Sequence, residues 1–159
     1  MAAPISINSY ADVQSVLSAL VSANGLPIAS APHGVFWQTL TYKQFVTGTI
    51  PGVSGNYKIV IPGNAAGSNI IMALSGTPGS PFDPNTGIIG QMPQPNPPYN
   101  SSFPKQADVI AALSVWINNG CPENSRAPGG KSGTKPAGKA PGKPGGAPKS
   151  PPKPPKAPA

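Results

Sequence analysis

The sequence predicts a mainly α fold: a small helical domain with long Pro- and Gly-rich loops, followed by a basic tail that has no core of its own. Three observations carry this expectation. Apolar residues recur at helical spacing near the start of the chain and again around residues 106–118. Eight prolines punctuate residues 77–104 and exclude most regular structure there. Every aromatic and every large aliphatic residue lies before residue 126, so residues 1–125 can build one core while residues 126–159 cannot.

The first helix is expected to open at Ser9, with Asp12 in its first turn and Val13, Val16, Leu17, Leu20 and Val21 along one face. Asn24 and Gly25 form its stop. Residues 26–39 read as irregular, punctuated by Pro27, Pro32 and Gly34. Thr41 and Gln44 have capping-box spacing, which predicts a short helix through Val46 that ends at Gly48. Next comes an extended apolar run, NYKIVI, that turns at Pro62 and Gly63. Ser68 is the expected cap of a helix from Asn69 to Leu74, stopped by Gly76. Residues 77–104 form a loop long enough to be functional or to wrap something. The last helix runs from about Gln106 to Asn118. Val109, Ile110, Leu113, Trp116 and Ile117 share one face, which is expected to pack on the first helix.

Charge divides the chain at the same boundary. Residues 1–125 hold three lysines against four acids, a charge of −1, while residues 126–159 hold eight basic residues and no acid. These are Arg126, Lys131, Lys135, Lys139, Lys143, Lys149, Lys153 and Lys156, spaced by Pro, Gly and Ala. Such a segment has nothing to bury, so disorder is expected. Its spacing lacks the strict triplet of collagen. It can neutralise nucleic acid or another polyanion without specificity, because it has no aromatic residue to stack on bases. A solubilising tail or spacer is the plainer reading, and recognition by a proline-reading partner, controlled by phosphorylation at Ser150-Pro151, is a further alternative.

Cys121 is the only cysteine, so one chain can form neither an internal disulfide nor a cysteine-based metal cluster. The segment after Met1 lacks a basic start, and Val13 to Ala23 is interrupted by three serines. Neither an export signal nor a membrane-spanning helix is expected, which favours a cytoplasmic or virion location.

Four pieces in order, YADVQSVL, APHGVFW, IPGNAAGSNIIMALSG, and QMPQ followed by ADVIAALSVWINNGCPEN, resemble the cytochrome c-like domains of bacterial multidomain proteins over residues 9–124. The resemblance implies a cytochrome c-like helical fold with His33 and Met92 in the positions of the two axial haem ligands. Imidazole and thioether together favour ferrous iron and raise its potential. The chain departs from the family at the attachment motif: in ASAPHG, Ala29 and Pro32 stand where C-x-x-C-H carries its cysteines. Covalent haem is therefore excluded. The first expectation is a haem-free domain, with the vacated volume refilled by Phe36, Trp37, Phe45, Tyr57, Phe82, Tyr99 and Phe103. Non-covalent haem between His33 and Met92 is the alternative.

No other constellation points to catalysis. The four acids are scattered, and the single histidine has no carboxylate or cysteine at motif spacing. PGNAAGSN precedes a helix but lacks the P-loop lysine and the dinucleotide-binding spacing. The expected function is a non-catalytic structural or interaction module with protein partners, such as a subunit of a larger assembly or a virus particle. Cys121 and the loop from Thr77 to Pro104 would then be contact surface. An electron carrier with non-covalent haem, and a nucleic-acid binder acting through the tail, are the two alternatives.

Overall fold

Ser9 initiates the first helix as its sequence position demands: its Oγ accepts the Asp12 N–H at 3.2 Å. Asp12 in turn accepts the Asn8 N–H at 2.9 Å, so two otherwise orphaned donors are satisfied before the chain enters α1, Tyr10–Ala23. The helix stops at Asn24, whose side-chain amide donates to the Leu20 carbonyl, and Gly25 follows at φ +57°. The computed structural model describes residues 4–125. The expected disorder and the polyanion-binding residues of 126–159 lie outside that range.

After α1 come a 3-10 turn, Ile28–Ser30, and two short helices, α2 Phe36–Thr39 and α3 Tyr42–Thr47. The capping box expected at Thr41 and Gln44 is formed in both directions. Helix α4 spans Asn69–Ser75 and α5 spans Gln106–Asn118. The described residues are thus mainly helical and contain no strand. The run expected to be extended makes only an isolated antiparallel bridge between Thr49 and Lys58.

Two expectations are corrected here. Residues 26–39 are not wholly irregular, because they hold the 3-10 turn and α2. Ser68 precedes α4 but does not cap it with its side chain. Its buried hydroxyl donates to the Asn64 carbonyl and accepts the Ile61 N–H, both at 2.8 Å, and so staples the PGNAAGS turn.

Helix α5 is the hub. It packs on both α1 and α4, and Val109, Leu113, Trp116 and Ile117 are fully buried in the core. Trp116 meets Phe45 of α3 with ring centroids 6.4 Å apart, and its indole N–H donates to the Pro122 carbonyl at 3.0 Å. Glu123 accepts the Tyr10 N–H at 3.0 Å, which ties the end of the domain to the start of α1. Among the described residues no helix is long and apolar enough to cross a membrane.

Candidate functional site

Protein interiors leave few voids larger than a water molecule, yet a cavity of about 410 Å³ remains beside the core. That volume falls within the roughly 300–1,000 Å³ typical of small-molecule and cofactor sites. Leu17 and Leu20 of α1 form one wall, and Ile70 and Leu74 of α4 another. The segment 26–37 and the long loop close it, the latter through Phe82, Ile89 and Met92. The lining is apolar apart from a few side chains such as Ser30, His33 and Gln94, and among the described residues it includes no lysine, arginine, aspartate or glutamate.

His33 and Met92 are therefore brought to the same cavity, although 59 positions separate them in the chain. His33 sits in a tight hairpin of backbone: Ala31 N–H donates to the Ile28 carbonyl at 3.0 Å, and Gly34 N–H to the Ala31 carbonyl at 2.9 Å. Gly34 turns the chain at φ +53°, a conformation that favours glycine. Gly52 packs against this hairpin so closely that a Cβ there would run into the Pro32 carbonyl oxygen.

The imidazole has a defined tautomer. Its Nδ1 lies 2.8 Å from the Gly34 carbonyl oxygen. A carbonyl can only accept, so in the neutral ring the proton is on Nδ1 and Nε2 keeps its lone pair. Nε2 has no hydrogen-bond partner among the described residues, and it is not a sealed, unsatisfied atom either. Phe36 fixes the ring plane edge-on, with centroids 5.5 Å apart. A backbone acceptor on one nitrogen and a free lone pair on the other is the arrangement in which histidine binds metals.

Met92 is half-buried near the middle of the long loop. Its N–H donates to the Ala73 carbonyl at 2.8 Å. That carbonyl belongs to the last turn of α4, where acceptors lack helical partners. The loop itself is ordered by Asp83, whose carboxylate accepts the N–H groups of Gly79 at 2.9 Å and Asn85 at 2.8 Å and the Thr86 hydroxyl at 2.9 Å. These hydrogen bonds favour the ionised form and hold the Asp83 carboxyl down to about 2. The neighbouring Phe82 is thereby seated in the cavity wall, 3% exposed.

The aromatic residues expected to refill the interior divide into three groups. Phe36, Trp37 and Phe82 are buried but line the cavity, and Phe45 is in the core between α3 and α5. Tyr57 and Tyr99 are half-buried, and Phe103 is 56% exposed. Cys121 is fully buried, which removes it from any contact surface and corrects that expectation. Burial also pushes its thiol up to about 11. Ile88 and Phe103 of the long loop remain exposed.

Sequence reasoning named His33 and Met92 of the lining but missed its aliphatic walls. Leu17, Leu20, Ile70 and Leu74 look like ordinary helix-face residues, and nothing in their spacing distinguishes residues facing a partner helix from residues facing a void. Among the described residues no group of three or more metal-ligating side chains of the His, Cys, Asp or Glu type is assembled. Comparison with protein-family models, curated proteins and solved structures finds no match.

Proposed function

We propose that residues 1–125 form a cytochrome c-like binding domain whose apolar cavity takes a haem without covalent attachment, and that the chain serves in electron transfer rather than catalysis. One observation carries the proposal: His33, with Nδ1 engaged and Nε2 free, lines the same apolar cavity as Met92. An apolar space of this size has no use in a finished core. A flat macrocycle would bury its faces against Leu17, Leu20, Ile70 and Phe82.

The residues present fit a haem held by coordination and burial alone. His33 would hold the iron through Nε2 and Met92 through its thioether, while Ala29 and Pro32 offer no thiol. Bound haem supplies one-electron exchange, and paired histidine and methionine ligands favour its reduced form. The chain's own part is to orient the imidazole through the Gly34 carbonyl and to exclude water with apolar walls.

Titration of the purified chain with haemin tests this. Saturable binding with a shifted Soret band is expected. His33→Ala should weaken it by more than the about 10–100-fold that loss of an outer-shell partner of a metal ligand costs. No shift, or a shift that His33→Ala and Met92→Ala both leave untouched, overturns the proposal.

A second reading, the haem-free structural or interaction module in a larger assembly such as a virus particle, is favoured by a different observation. Ile88, Phe103 and Val115 are 85%, 56% and 59% exposed on a domain that carries few charges. Absence of haemin binding together with self-association at micromolar concentration would select it.

A further inference from the structure

Helix α4 ends with carbonyls that its own backbone cannot satisfy, and the chain meets them with the segment that carries Met92. The Met92 N–H takes the Ala73 carbonyl at 2.8 Å. The Gln91 side-chain amide takes the Leu74 carbonyl at 2.9 Å. The opposite side of the Met92 peptide is held from α5. Gln106 is fully buried, and its side-chain N–H groups reach the Leu74 carbonyl at 2.6 Å and the Met92 carbonyl at 2.8 Å. Its Oε1 accepts the Tyr99 N–H at 2.8 Å, and its own N–H donates to the Tyr99 carbonyl at 2.7 Å. Both donors and the acceptor of this amide are therefore in use, inside the protein, on three backbone groups, one in α4 and two in the long loop.

We infer that Gln106 is the positioning residue for Met92. Its amide bridges the last turn of α4 to the Met92 carbonyl and so fixes where the thioether stands on the cavity wall. Without that bridge the Met92 backbone keeps only its N–H tie to Ala73. The consequence for haem rests on the function proposed above, whereas the consequence for the Met92 backbone does not.

The experiment uses the full chain and two variants. Gln106→Met keeps the volume and removes all three side-chain bonds. Gln106→Glu keeps the acceptor for Tyr99 and, when ionised, lacks both donors. In the haem-free chain, amide exchange at Met92 is measured against Val109, Leu113 and Ile117 of α5, which report overall stability. Met92 is expected to exchange about 10-fold faster relative to those amides, the loss of one to two hydrogen bonds. In the haemin-loaded chain, the far-red sulfur-to-iron charge-transfer band should fade while the Soret band persists.

If wild-type chain takes up no haemin, the proposed function fails and the exchange measurement still decides the role of Gln106. Acceleration shared equally by Met92 and the α5 amides, or Met92 protection unchanged in either folded variant, overturns the inference. Should Gln106→Met not fold, the exchange ratio in Gln106→Glu alone decides between the same two outcomes.

Discussion

At the scale of single residues, one carboxylate gathers residues 79–86 of the long loop. Asp83 gathers donors from Gly79, Asn85 and Thr86, and its pKa lies near 2 because those bonds exist only in the folded state. The folded value is depressed, so the stabilisation is complete above the unfolded value of about 4 and is lost as pH falls towards 2. Denaturant unfolding at steps between about pH 5 and pH 2 should therefore show a loss of stability across this window. Asp83→Asn, which cannot titrate, should flatten that part of the profile and sit lower at neutral pH. An identical pH profile in wild type and variant would show that the Asp83 bonds contribute nothing to folding. None of this was visible in the sequence: residues 77–104 read only as a long loop, and only the fold shows that the turn at Asp83 seats Phe82 in the cavity wall.

At the scale of elements, the end helices were legible because their signals are local and agree with each other. Ser9, Asp12 and the apolar stripe define α1. A stripe of the same kind, running from Val109 to Ile117, defines α5 within the expected bounds. Helix α2 was not legible because its four residues carry no cap signal, and it is held instead by tertiary bonds. Gln14 donates to the Trp37 carbonyl at 2.9 Å, and the Trp37 indole donates to Ser18 Oγ at 3.0 Å. Ser68 misled for a related reason, since a residue with N-cap chemistry can spend its hydroxyl on a turn instead. The weight carried by α5 is testable at Trp116. Trp116→Ala should destabilise the domain by about 3–5 kcal/mol. Trp116→Phe, which removes the bond to the part-buried Pro122 carbonyl and trims the ring, should cost less, about 1–3 kcal/mol. Chemical denaturation of both variants separates packing from hydrogen bonding. Equal costs would mean that the ring's contacts with Phe45 and its neighbours add nothing.

At the scale of the whole molecule, two chemistries share one chain without overlapping. Residues 1–125 carry a charge of −1 and all the material for a core, while residues 126–159 carry eight positive charges and none of it. Polyanion binding, if the chain has it, must then belong to the second segment, because the folded residues offer only Lys43, Lys58 and Lys105 against four acids. Counterion release fixes what such binding looks like. Eight neutralised phosphates give a slope of about −7 when the logarithm of the duplex-DNA association constant is plotted against that of salt concentration. Removal of residues 126–159 should abolish measurable binding near physiological salt, while haemin binding stays within about two-fold, since the cavity lining among the described residues runs from Leu17 to Pro95. The same slope for duplexes of unrelated sequence is expected as well, because a segment without aromatic residues cannot stack on bases. A truncated chain that still binds DNA, or a slope well short of −7 in the full chain, would move the anion site into the folded domain. The charge boundary near residue 125 would then no longer be a division of function.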